Sequence, residues 1–233
     1  MRVDLDFQEF GSTSMLDTEL TARVSKLLGE ALIQDGHASI VVSGGRTPKG
    51  FFQRLSEENL DWSNITVSLA DERWVEPNHC DSNEKLVKEN LLINNASGAK
   101  FLPLKNNAAT AMGGIKELES QLANVEAFTV VILGMGDDGH TASLFPGSET
   151  LGLGLDLSSG KQCIAVTPLD APHERMSMTL PRLLRSKQII IHLCGEGKKR
   201  VLDQVNSGYD SFELPIRAVL QQSHTPVSLY WSR

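Results

Sequence analysis

The residues best suited to chemistry lie in "GMGDDGHTASLFPG", where Asp138 and His140 stand two apart in a glycine-rich stretch. An imidazole changes charge near neutral pH and so suits a general base. A carboxylate beside it can orient the ring and stabilise the imidazolium. The same stretch carries Gly134, Gly136 and Gly139 as G-x-G-x-x-G after an apolar run, the pattern of a dinucleotide-binding turn. Three features argue against a nucleotide. Asp137 and Asp138 place negative charge where a pyrophosphate needs backbone donors. Phe145, Pro146 and Gly147 cut short the helix that such a motif opens. Asp156 lies at about the right distance for a ribose contact, but "LGLGLDLSSG" does not read as the end of a second strand. The glycines are therefore expected to fold the chain tightly and expose His140. A lone D-x-H is more simply a capping histidine with two solvated aspartates. Three further polar clusters tip the reading toward catalysis.

The first of these is "SGGRTP", Ser43 to Pro48. Backbone N–H groups of Ser43, Gly44, Gly45, Arg46 and Thr47, with the helix N-terminus that follows, are suited to an anion, and the Arg46 side chain adds charge. Alternatively, Gly44 and Gly45 only serve a tight strand-to-helix turn. The second is "ADERWVEPNHCDSNEK": Arg73 can clamp a phosphate or stabilise an oxyanion, or can pair with Asp71 to fix the loop. His79, Cys80 and Asp81 are consecutive there, and consecutive loop residues rarely make a metal site. The third is "CGEGKKR", where Lys198 follows a glycine turn that opens a helix. It lacks the first glycine and the Ser/Thr of a P-loop, so a single phosphate fits better than a nucleoside triphosphate. In the rival reading Lys198, Lys199 and Arg200 are a solvated helix face. "PHERMSMTLP" adds His173 and Arg175, the latter a second phosphate candidate.

Elements that would position these residues are legible in the hydrophobic pattern. Residues 18–36 place Leu20, Val24, Leu27, Leu28, Ala31 and Leu32 at helical spacing, with Gly36 as the stop. Apolar strands are expected at 38–45, 64–72, 128–136, 162–168, 187–195 and 226–231. Helices are expected at 50–57, 82–92 (capped by Ser82), 111–122 and 198–206, and a weaker one at 177–184 that contains Pro181. Strands apolar on both faces, alternating with helices, predict an α/β fold with a mostly parallel sheet covered on both sides. Ligands of such sheets bind beyond the carboxyl ends of the strands, where Ser43–Thr47, Asp71–Arg73 and Asp137–His140 all fall.

The bulk properties bound the function. A chain of 233 residues with 40% hydrophobic and 22% charged residues, and no linker-like segment, reads as a single domain, 1–233. A net charge of −7 argues against nucleic acid while leaving room for a local basic pocket. Cys80, Cys163 and Cys194 form no C-x-x-C pair, which suits a reducing compartment. The acidic start lacks an apolar signal-peptide core, and no run of 18 apolar residues exists. The expectation is a cytoplasmic protein with no membrane partner, a monomer because no unexplained apolar face stands out.

Taken together, "SGGRTP", "DERWV" with a following "SN", "GMGDDGHTASLFPGS", "P..ER....LP" and "GEGKK" resemble the 6-phosphogluconolactonase family, in order and approximate spacing across nearly the whole chain. The resemblance implies a Rossmann-like layered sandwich shared with sugar-phosphate isomerases and deaminases. It implies hydrolysis of 6-phospho-D-glucono-1,5-lactone in the oxidative pentose phosphate pathway, with no metal or organic cofactor and no partner beyond the small-molecule substrate. It places the general base on His140, its partner on Asp138, the D-E-R arginine on Arg73 with Asp71 beside it, and a phosphate lysine on Lys198. "RMSMTLPRLLRS" departs from the family's R-x-T-x-T run, which loosens the match at Arg175. Amino-sugar-phosphate deaminases differ after D-G-H, with an I-A-F-N-E-P type continuation in place of Thr141–Pro146. A non-catalytic sugar-phosphate sensor would not need Asp138 and His140 together.

Overall fold

The structure is a computed structural model that describes residues 6–169 and 171–233. Its elements, in chain order, are β1 (Asp6–Phe10), α1 (Thr13–Asp35), β2 (Ala38–Val42), α2 (Lys49–Ser56), β3 (Ile65–Leu69), β4 (Asp71–Arg73), α3 (Asn83–Asn90) and β5 (Lys100–Leu102). Then follow α4 (Ala111–Ala123), β6 (Val130–Leu133), α5 (Leu151–Leu155), β7 (Cys163–Val166), β8 (Arg175–Met178) and α6 (Leu180–Leu184). The chain finishes with β9 (Ile189–Cys194), α7 (Glu196–Val205), α8 (Ile216–Leu220) and β10 (Val227–Ser232). Seven strands form a wholly parallel sheet in the order β1-β10-β9-β6-β2-β3-β5. Every residue of β2 and β6 is buried, as expected for a parallel sheet covered on both faces. The predicted α/β class and mostly parallel sheet are what the chain forms.

Helix α1 begins five residues before the expected start because Ser12 caps it, its side chain accepting from the Met15 amide at 3.3 Å. It ends where expected: Gly36 adopts a left-handed φ of 73° and its N–H closes on the Leu32 carbonyl at 3.1 Å. Leu16, Leu20, Val24, Leu28 and Ala31 form its buried stripe.

Besides the short elements β5, α5 and α8, which the hydrophobic pattern does not announce, three differences from the expectation stand out. The acidic N-terminal segment is strand β1, an edge strand whose pattern is too polar to announce a buried strand. The predicted strand at 64–72 is two strands. Ala70 is the joint: its amide donates to Val42 in the large sheet and its carbonyl accepts from Met178 in a second one. That second sheet is antiparallel, in the order β4-β8-β7. The predicted helix at 177–184 is correspondingly shortened. Residues 177–178 belong to β8, and α6 starts after Thr179, whose hydroxyl caps the Arg182 amide. Pro181 sits in the first turn, where its missing N–H costs nothing.

Strand order sets the site. From β2 the chain moves outward through β3 and β5; from β6 it moves the other way through β9 and β10. The turns leaving β2 and β6 therefore diverge at the switch point, the place where open α/β sheets bind ligands. Ser43 stitches the two ends together, its amide and hydroxyl both donating to the Ile132 carbonyl at 3.1 and 3.3 Å.

Candidate active site

A pocket of about 290 Å³ opens at this switch point. Its lining brings together Ser43, Gly44, Gly45, Thr47, Asp71, Arg73, His140, Arg175 and Lys198 from every cluster singled out above, with Asn83, His192 and Cys194 besides. That size suits a compact polar metabolite.

The loop after β6 folds back on itself. Gly136 donates its amide to the His140 carbonyl at 2.8 Å, and Thr141 Oγ1 donates to the Gly134 carbonyl at 2.9 Å. Asp138 Oδ1 accepts from the His140 amide at 3.1 Å and lies 2.6 Å from its Nδ1. Gly136 is required here, because a Cβ on it would collide with the His140 ring and the Asp138 carboxylate. Burial pulls the Asp138 carboxyl upward, but the hydrogen bond and charge of His140 outweigh it and hold the group below its ordinary range. An anionic Asp138 accepts only, so Nδ1 donates to it, and in the neutral ring the lone pair is then on Nε2. The ring packs against Phe145 at a centroid distance of 4.3 Å, and the Arg175 guanidinium lies 5.2 Å from the other partner of that contact, the Phe145 ring. Asp138 does not itself line the pocket; it stands behind the histidine.

The second sheet supplies the arginines. Arg73 and Arg175 are register partners across β4 and β8, and the Nε of each is buried with no hydrogen-bond partner among the described residues. Arg175 is 9% exposed, and burial lowers its pKa against the opposing pull of Asp71. Asp71 is buried beside Arg175: Oδ2 accepts from the Ser143 hydroxyl and lies 3.8 Å from Arg175 Nη1. It thereby ties the arginine sheet to the histidine loop. Glu72 faces away and accepts from the amides of Arg73, Asn83 and Glu84 at 2.7, 2.8 and 2.7 Å, and from the Ser82 hydroxyl at 3.1 Å. It docks the start of α3 on β4, although burial pushes its own pKa up.

The lysines separate cleanly. Lys198 lines the pocket, its Nζ 2.7 Å from Asp137 Oδ1. Lys199 is turned away, 3.1 Å from Glu9 and over the Trp231 ring at 4.2 Å. Arg46 is exposed and outside the lining, unlike the other members of its turn. Asp156 closes an Asx turn on the Ser158 amide at 2.8 Å, far in role from any ribose contact.

Three contributors escaped the sequence reading. Asn83 is buried, donates to the Asp71 carbonyl at 2.9 Å, and leaves no room for a Cβ on Gly44. The "SN" dipeptide was its only signal. Ser143 links the histidine loop to Asp71 through its hydroxyl, and its amide donates to the Ser177 hydroxyl at 3.1 Å as a second tie. His192 forms part of the floor, 3.7 Å from the buried Asp17, and burial drives its pKa down to about 4. Its place inside the apolar run "QIIIHLC" resembles any core histidine.

Residues 11–231 match the family described as glucosamine-6-phosphate isomerases/6-phosphogluconolactonase. A 6-phosphogluconolactonase of Pseudomonas putida is 40% identical over 223 residues, 96% of this chain and 91% of that one. One from Rhizobium meliloti is 41% identical over 224 residues, 96% and 97% of the two chains. Among solved structures, a 6-phosphogluconolactonase from Shewanella baltica superposes with a TM-score of 0.96 at 44% identity, covering 99% and 98% of the two chains. A monomeric glucosamine-6-phosphate deaminase shares the fold with a TM-score of 0.83 at 18% identity, covering 98% of each chain.

Proposed function

The chain belongs to the family of glucosamine-6-phosphate isomerases and 6-phosphogluconolactonases, and from that premise we propose that its pocket hydrolyses 6-phospho-D-glucono-1,5-lactone to 6-phospho-D-gluconate by His140-activated attack of water. The observation that carries this reading is the Asp138–His140 pair, 2.6 Å apart, at the edge of a pocket that also holds Arg73, Arg175 and Lys198. His140 Nε2 takes a proton from water as its oxygen bonds to the lactone carbonyl carbon. Arg73 and nearby backbone N–H groups stabilise the tetrahedral oxyanion. The carbon–ring-oxygen bond then breaks and the proton on Nε2 passes to the leaving oxygen. Asp138 holds the tautomer throughout and stabilises the transient imidazolium. Asp71 keeps Arg175 and, through Ser143, the histidine loop in register. The phosphate is held by Arg175, Lys198 and the Ser43–Thr47 turn, and anchoring that remote group fixes the carbonyl against the base.

The reaction turns the uncharged lactone ester group into a carboxylate and a proton. Lactone generated in situ should therefore release acid with this protein well above the spontaneous rate. Acid release at the spontaneous rate with a folded protein would remove the proposal. No helix among the described residues is long and apolar enough to cross a membrane.

A further inference from the structure

Outside the pocket, the loop between β4 and α3 and the segment leading into β8 bring together a second set of donors. His79, Cys80 and Asp81 offer ligand atoms that all lie within 4.8 Å of one another. Cys80 Sγ is 3.8 Å from His79 Nδ1, and His79 Nδ1 is 3.7 Å from Asp81 Oδ2. The same Asp81 Oδ2 is 3.1 Å from Nε2 of His173, which comes from a distant part of the chain. The two imidazoles meet edge to face at 5.4 Å. His173 holds this position with a left-handed φ of 70°, which is uncommon for a residue other than glycine. The two segments are also tied by the Trp74 amide, which donates to the Glu174 carbonyl at 2.7 Å.

We propose that His79, Cys80, Asp81 and His173 form a binding site for one divalent transition ion of the zinc type. In a tetrahedral site with metal–nitrogen and metal–sulfur bonds of about 2.0 and 2.3 Å, neighbouring donor atoms stand about 3.3–3.6 Å apart. The three measured separations bracket that range; closing the shell takes side-chain rotations that bring His173 toward the triplet and release His79 Nδ1 from the Asp81 amide, which donates to it at 3.1 Å. The donor set of two imidazoles, a thiolate and a carboxylate selects zinc-type ions over magnesium or calcium, which take oxygen ligands. Cys80 is exposed, so its thiol proton leaves to water as the thiolate binds. The consecutive triplet alone offers too little for a site. His173, supplied by the tertiary fold, makes the fourth ligand. The ion would also fix Asp81, whose backbone carbonyl accepts from Arg73 Nη1.

Cobalt(II) titration of the intact protein tests this without reference to turnover. The expected result is uptake of one ion per chain, a thiolate-to-cobalt charge-transfer band and strong four-coordinate d–d bands, displaced by zinc and indifferent to excess magnesium. Cys80→Ser should lose the charge-transfer band, and His173→Ala should bind at least tenfold more weakly. His140→Ala and Cys194→Ser should match the wild type. Zinc should also protect Cys80 from alkylation, read by mass spectrometry on the wild type. Absence of a thiolate band, its persistence in Cys80→Ser, wild-type affinity in His173→Ala, or unprotected Cys80 would overturn the site.

Discussion

Arg73 and Arg175 stand directly opposite each other across the antiparallel pairing of β4 and β8, and both line the pocket. They converge only because the chain leaves the parallel sheet at Ala70. Each has a buried Nε with no hydrogen-bond partner among the described residues, which suits the pair to the anion-binding role proposed above. Losing a charge-assisted hydrogen bond costs about 1.5–3 kcal/mol, so Arg175→Ala should raise KM roughly 10–100-fold. Arg175→Lys should recover only part of this, because a lysine lacks the planar fork. Arg73→Ala should raise KM and lower kcat as well. Lys198→Ala should raise KM, whereas Lys199→Ala should leave the kinetics unchanged, since its amine lies over Trp231. Steady-state kinetics on the lactone decide each case; equal effects of the two lysine variants would sink the phosphate assignment.

A general base contributes about 10²–10⁴-fold, and His140→Ala should lower kcat within that range while its circular dichroism and melting point stay near wild type. Asp138→Asn should lower kcat with little change in KM, because an amide can donate to Nδ1 and stabilise the wrong tautomer. A folded His140→Ala protein that keeps most of its activity would refute the role.

Two glycines of one motif should behave oppositely. A Cβ at Gly136 meets His140 and Asp138, whereas a Cβ at Gly134 meets nothing within 4 Å. Gly136→Ala should therefore displace the pair and cut kcat by roughly tenfold or more, as expected of a misplaced base. Gly134→Ala should remain close to wild type. Equal losses in both would show that the loop needs glycine for a reason other than the catalytic pair.

His192 predicts a stability slope with pH. Its pKa is about 4 in the fold against an ordinary value near 6.5, so below that value the unfolded chain binds the proton that the folded chain refuses. Stability from the neutral imidazole is full above pH 6.5 and is lost as pH falls toward 4. The loss is roughly 1–2 kcal/mol between pH 6 and pH 4.5. Urea unfolding at several pH values should show a shallower slope for His192→Asn than for the wild type over that window. Parallel slopes would mean that other groups set the dependence.

Much of the scaffold was readable because buried parallel strands are apolar on both faces. "SIVV", "VVIL" and "IIIHLC" announce β2, β6 and β9 for that reason. β1 was missed because an edge strand need not be apolar, and β4 was merged with β3 because a strand that changes sheets leaves no mark on local hydrophobicity. Local chemistry was readable too. Asp138 and His140 are two residues apart, so their pairing needs only a tight loop, and Gly136 and Gly139 mark one.

What remained for the tertiary structure is every choice among residues distant in sequence. The sequence by itself determined the fold class, the histidine loop and a set of cations that could meet an anion. It could not say which cations converge. Folding decided that Lys198 faces the pocket and Lys199 does not, that Arg46 stays outside, and that Arg175 stands beside Arg73. It also brought His173 to Asp81 and Asn83 to Gly44. The physical reason is that hydrophobic periodicity encodes which face of an element is buried. Contacts between elements depend on strand order and register, which arise from the packing of the whole chain.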